Sequence, residues 1–418
     1  LVRAQDDAPD ASVTETTPDN TEIAALAQPI LPPTTGDAAD ALDRQIYAVE
    51  QEGAGEFGSA PVAESSKAYA VSLHGAALAE YDDNVFSTKD DKKGDLVLAA
   101  EPGVTLGLGD FRTREDNYLS VDYTGLYSAY LDYAKRDSYQ QFAGLDGQYV
   151  LGHLTLNTRF LFLDLFSGDS DAGGVLRRRV YETTQMAGYE IDAKQHLDFK
   201  IENIIHDYDL GLNSTEWNGR GFYDYQWDPK LTLGFGGQIG VLDVQTLSSQ
   251  PYEQPLLHLV YAPSQKLALE ASGGAEFRQL PGGRERTTPV FEMTANYTSL
   301  SGLTVSADAY RRVAASSSLT QEDFTATGVD LGFAKDLGRQ FVARVGGGYE
   351  HNDYFYAGRP VSDPRHDNFF FLTPSIEYHF NEHVLVSLFY NYRENESSLG
   401  SALEFTNNQV GLRARVQF

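Results

Sequence analysis

Three histidines with nearby aspartates stand out as groups that could do chemistry: His206 with Asp207, His351 with Asp353, and His366 with Asp367. An imidazole held by a carboxylate can act as a general base. No nucleophile lies at a distinctive spacing from any of these pairs, so a hydrolase is the lesser reading and no catalytic set is assigned. Asp82, Asp83 and Asn84, with Asp90, Asp91 and Asp95, offer oxygens of the kind Ca²⁺ takes. Their spacing matches no calcium loop; a solvated loop is expected there, and no metal or cofactor is assigned. A larger set consists of charges at alternate positions. Arg312, Arg344, Arg393, Arg413 and Arg415 fall late in the chain, while Glu182, Glu190, Glu202, Glu270, Glu276 and Glu292 fall earlier. Facing each other across water, such basic and acidic walls would set up a transverse field. Paired with one another, they would only keep an interior wet.

Charges at every second position require strands to carry them. Runs such as LTLGFGGQIGV from 231, LALEASGGAEF from 267 and VLVSLFYNY from 384 alternate at period 2. Gly (38), Tyr (25) and Phe (23) are abundant, which suits strands. The Gly runs GFGGQ and RVGGGYE precede no helix, so they are not phosphate loops. The absence of Cys removes disulfide and thiolate chemistry. A net charge of −28 argues against a nucleic-acid partner. No apolar run is long enough for a membrane helix, but a closed barrel also satisfies its backbone in lipid.

A slower rhythm predicts such a barrel. Tyr149, Tyr189, Trp227, Tyr261, Tyr297, Phe333, Phe380 and Phe418 recur at near-regular intervals, all but the last followed by a tight polar turn. Phe111 extends the series, though out of parity with Val104, Leu106 and Leu108. Connections on the other side read as longer and polar: DDNVFSTKDDKKGD, SGDSDAGG, PGGRERT and YAGRPVSDPRHDN. Nine units imply an all-β transmembrane antiparallel β-barrel of 18 strands over 68–418, with 16 as the alternative. A two-sheet sandwich would also hide an apolar face, but it does not account for one aromatic per hairpin. The expected location is the bacterial outer membrane. The aromatics would form a girdle at the lipid headgroups, with lipid and lipopolysaccharide as neighbours.

Residues 1–67 differ. They are rich in Ala, Pro, Asp, Glu and Thr and read as a disordered acidic tail. Within DAADALDRQIYAVEQEG, Leu42, Ile46 and Val49 share a helical face, which suggests a periplasmic docking helix or plug. A periplasmic protein or a polysaccharide is the partner expected for this tail. LVRAQDD reads equally as the end of a signal peptide or the start of a mature form.

Two segments carry a family resemblance. HGAALAEYDDNVFSTKDDKKGDLVLAAEPGVTLGLGD, residues 74–110, contains YDDNVF followed by D-x-V-x-x-x-x-P-G-V, and FTNNQVGLRARVQF closes the chain. Together they resemble the first hairpin and last strand of the β-barrel porin 2 family across 68–418. The resemblance implies an outer-membrane barrel, often tied to extracellular polysaccharide systems, and supplies no catalytic residues. A last strand ending on Phe resembles the strand by which such proteins are recognised, implying the barrel assembly machinery as a partner. The expected function is passage of hydrophilic solutes, or export of a polysaccharide stacking on Phe371, Tyr310 and Phe389. The alternative is a surface anchor or scaffold without a channel.

Overall fold

The computed structural model describes residues 69–109, 111, 116–245, 247–318, 322–357 and 364–418. The expected tail and its helical stretch lie outside the described residues. The strands are β1 (Tyr69–Asp82), β2 (Asp95–Gly109), β3 (Tyr118–Tyr130), β4 (Ser138–Leu151), β5 (Leu154–Asp169) and β6 (Gly174–Asp192). They continue as β7 (Gln195–Tyr208), β8 (Ser214–Asp228), β9 (Leu231–Val244), β10 (Gln250–Ser264), β11 (Leu267–Leu280) and β12 (Arg284–Thr298). The last six are β13 (Leu303–Ala315), β14 (Glu322–Asp336), β15 (Phe341–Tyr356), β16 (His366–His379), β17 (Val384–Ser397) and β18 (Phe405–Gln417). Each pairs antiparallel with the next in the chain, and β1 pairs with β18 from His74↔Gln417 to Asp82↔Gln409. The sheet therefore closes with 18 strands and leaves no open edge.

Tight turns at 152–153, 193–194, 229–230 and 265–266 gather at one end with both chain ends of the barrel. The connections at 83–94, 131–137 and 398–404 gather at the other, so the turn asymmetry holds in outline. Two segments expected as long loops differ. In SGDSDAGG, β5 runs through to Asp169 and β6 resumes at Gly174; in PGGRERT, only 281–283 separate β11 from β12. Polar composition marked them as solvated, but Asp169, Asp171 and Arg284 find partners within the protein.

The burial pattern is inverted relative to a water-soluble domain. Leu96, Leu98, Leu106 and Leu108 on β2, and Val410, Leu412 and Val416 on β18, are exposed on the outer face. All eight expected aromatics are also exposed, Trp227 at 68% and Phe418 at 66%. Phe111 is not one of this set: its ring occupies the space over Gly107, on the inward parity of β2. A second exposed set, Tyr81, Tyr127, Tyr139 and Trp217, lies toward the long-loop end. Leu412→Arg would place a charge midway along β18, on the lipid side. It is expected to cost about 2–4 kcal/mol in refolding into lipid vesicles, read from the denaturant midpoint.

Apolar clusters lie inside the lumen. Leu126, Phe142, Leu163, Leu165, Val180 and Ile204 form one on the β3–β7 side. Phe369, Phe371 and Phe405 form a second, and Tyr310, Phe324, Ala326 and Tyr354 a third. The inward face is thus not uniformly polar, as alternation alone suggested. Toward the long-loop end it is packed; toward the short turns it is half-buried.

Candidate functional site

The lumen is bridged at its long-loop end by two hairpin tips from opposite walls. The tip between β5 and β6 turns tightly: Ala172 N–H donates to Asp169 Oδ1 at 2.8 Å, and Gly173 N–H to Asp169 O at 2.9 Å. Gly173 has φ +66, and a Cβ there would stand 2.3 Å from Leu403 Cα, so only glycine meets both the turn and the close approach. Arg178, wholly buried, lies 3.9 Å from Asp169 Oδ2. This tip places Asp171, 1% exposed, at the centre of the mouth.

Asp171 gathers donors from three places. Ser317 donates from its backbone N–H at 2.6 Å and its hydroxyl at 2.8 Å, with Ser318 N–H at 3.1 Å and Ser316 Oγ at 3.0 Å. Tyr354 Oη on β15 donates at 2.8 Å and Arg365 Nη1 at 3.0 Å. Arg365 also donates from Nη2 to the Asp171 carbonyl at 2.7 Å, stacks over the Tyr354 ring at 4.1 Å and pairs with Asp367. The β13–β14 tip is tied to the facing wall again by Leu212 N–H donating to Ser317 O at 2.7 Å. Asn395 Nδ2 on β17 holds the Ser170 carbonyl at 3.0 Å. Beneath the bridge, Ile204, His206, Glu216, Leu242 and Ala314 line a cavity of about 30 Å³. That is room for a water or two.

The expected wall residues lie on the inward parity, but their charges pair close to home. Arg312 Nη2 lies 3.8 Å from Glu350, Arg344 Nε lies 3.2 Å from Glu377, and Arg413 pairs with Glu101. Arg393 donates to Asn407 Oδ1 at 3.0 Å. Among the acids, Glu202 meets Lys200 at 2.7 Å, and Glu276 meets Arg278 at 2.6 Å. Glu292 meets Arg220 at 3.5 Å, and Glu270 meets His258 at 3.3 Å. Glu182 is buried, Glu190 is exposed with His153 at 3.9 Å, and Arg415 is half-buried. Such local pairing reduces the net field that two bare walls would produce. Of the aromatics expected to meet a sugar, Tyr310 and Phe371 are buried in the lumen clusters, and Phe389 lies over Gly411. Tyr310 Oη donates to Glu350 at 2.7 Å.

Asp82, Asp83 and Asn84, the candidates for a cation, are spent on the seam that closes the barrel. Asp82 Oδ1 accepts from Asn407 Nδ2 at 2.5 Å and from Asn84 N–H at 2.7 Å, and Oδ2 accepts from Gln409 at 2.9 Å. Asp83 accepts from the backbone and side chain of Asn408, both at 2.7 Å. Asn84 Nδ2 donates to Thr406 O at 2.9 Å and to Thr88 O at 2.7 Å. The two segments that carry the family resemblance therefore meet each other. Of the His–Asp pairs, Asp207 binds Arg179 at 2.8 Å and His206 stacks on Tyr208, whereas His351, Asp353 and His366 come together. Asp367 faces the opposite way, toward Arg365.

Residues 264–418 match the family described as Outer membrane protein beta-barrel domain. No curated protein matches the chain. Among solved structures, OccK11 (OpdR) of Pseudomonas aeruginosa is similar at 12% identity and TM-score 0.42, over 83% of this chain and 96% of that one. OccAB4 of Acinetobacter baumannii is similar at 13% identity and TM-score 0.41, over 83% and 98%. OpdO of Pseudomonas aeruginosa is similar at 14% identity and TM-score 0.45, over 84% and 97%. The chain is a closed 18-stranded β-barrel of the bacterial outer membrane, its exposed apolar belt facing lipid.

Proposed function

We propose that this barrel is a diffusion channel for small hydrophilic solutes, with the long-loop end facing outward and the bridge around Asp171 as its selective constriction. The observation that carries this reading is a closed 18-stranded wall with charged side chains along its inward face, behind an apolar exterior. A ring of that strand number encloses an aqueous path unless something fills it. Here two hairpin tips fill its outer part, so passage is limited to what slips past or displaces them. A polymer needs a continuous opening, and the sugar-stacking aromatics are packed away. Small solutes are therefore favoured over an exported polysaccharide, and transport over a scaffold or hydrolase role. The eight exposed aromatics serve as a headgroup girdle near the short turns.

Single-channel recording in planar bilayers tests this reading. Discrete conductance steps from the purified full chain are expected; a barrel that inserts and stays silent at all voltages overturns it. Arg413→Ala would leave Glu101 without its cation in the lumen. Under a salt gradient, its reversal potential is expected to move toward cation preference by a few-fold in permeability ratio. Glu101→Gln should move it the other way.

A further inference from the structure

On the wall facing away from the lumen, β15 and β16 set three ligating side chains together at the long-loop end. His351 and Asp353 are two residues apart on β15 and so share a face. Asp353 stands opposite His366 in the β15–β16 register. His351 Nε2 lies 3.1 Å from Asp353 Oδ1, and His366 Nδ1 lies 2.9 Å from the same oxygen. One ligand atom from each residue falls within 4.8 Å of the others. The two imidazoles are nearly parallel, with an interplanar angle of 9° and centroids 6.1 Å apart.

The surroundings are also those of a metal site. His351 Nδ1 lies 2.9 Å from Asn368 Oδ1, which accepts from Tyr349 Oη at 2.7 Å. That contact orients the ring and directs Nε2 at Asp353, as an outer-shell partner does for a ligating histidine. The side chains of His351, Asp353 and His366 are 35%, 38% and 49% exposed, so an ion can reach them without opening the barrel. The lumen makes no use of them.

We propose that His351, Asp353 and His366 form a binding site for a divalent transition-metal ion on the outer wall, with water completing the shell. Two imidazoles and one carboxylate suit Zn²⁺, Co²⁺, Ni²⁺ or Cu²⁺ and disfavour Ca²⁺ and Mg²⁺, which take oxygen ligands. Bonds of about 2.0–2.2 Å place tetrahedral ligands roughly 3.3–3.5 Å apart. The carboxylate then withdraws a few tenths of an ångström from the two nitrogens, and the nitrogens, which lie within 4.8 Å of each other, close by up to roughly 1.5 Å through side-chain rotation. The site stands just beyond the exposed Tyr349 and Phe370, at the edge of the apolar belt.

The test is equilibrium dialysis of the detergent-solubilised full chain against Zn²⁺, with a Co²⁺ absorption spectrum as second readout. One Zn²⁺ per chain is expected, together with a visible Co²⁺ band. His351→Ala and His366→Ala should each weaken binding by at least about tenfold and abolish the band. His383→Ala, whose ring stacks on Phe418 away from the site, should leave both unchanged. Heat-shifted gel mobility checks that each variant is folded. Wild-type protein that takes no Zn²⁺ at millimolar concentration overturns the proposal. So does binding retained equally by folded His351→Ala and His366→Ala.

Discussion

Asp171→Ala is expected to unlock the outer mouth. The carboxylate is the shared acceptor for the β13–β14 tip, Tyr354 and Arg365, and of these only Arg365 has a second carboxylate, Asp367. Its removal leaves Arg365 to Asp367 alone among carboxylates and strands several buried hydroxyls. A buried donor left without its acceptor costs about 1–3 kcal/mol, and several are left here. That penalty falls on the bridged arrangement only, because unbridged tips meet water. The ratio of bridged to unbridged mouths should therefore drop by roughly two to three decades. In bilayers the variant should show larger or longer open steps, and in vesicles it should admit larger sugars than wild type. Asp171→Asn keeps one acceptor oxygen and should fall between. A folded Asp171→Ala barrel with the conductance of wild type would show that the bridge does not limit passage.

Asp82→Ala is expected to weaken the barrel at its closure. The β1–β18 pair is the one contact joining the two ends of the sheet, and its long-loop end is held by Asp82 and Asp83 against Asn407, Asn408 and Gln409. Without the carboxylate, the buried Asn407 amide and its neighbour Gln409 lose acceptors, at about 1–3 kcal/mol each. Combining Asp82→Ala with Asp83→Ala removes the acceptors for Asn408 as well. The single variant should lower the temperature at which gel mobility shifts, and the double variant should lower it further. An unchanged temperature in the double variant would mean that backbone pairing alone closes the ring.

Much of this architecture was legible in the sequence because alternation along a strand is a local property. One residue in two meets lipid and the next meets the lumen, so the sequence alone determined the strands, their faces, the count of 18 and the exposed aromatics at the short-turn end, Phe111 excepted. The parity of Arg312, Arg344, Arg393 and Arg413 was legible on the same ground, but their partners were not. A parity rule says which way a side chain points, not what stands opposite once the ring has closed. The apolar lumen clusters were missed for a related reason, since Leu163 and Phe369 read like any strand residue until a facing wall packs against them. The tertiary structure alone decided the mouth. Asp171 lies 145 residues from Ser316 and 194 from Arg365, and no local pattern links them. SGDSDAGG looked like a solvated loop because its polar groups needed partners; folding supplied those partners inside the barrel instead of water. The seam between YDDNVF and FTNNQ has the same origin: closing the sheet brings the first strand beside the last, where carboxylates and amides can satisfy each other.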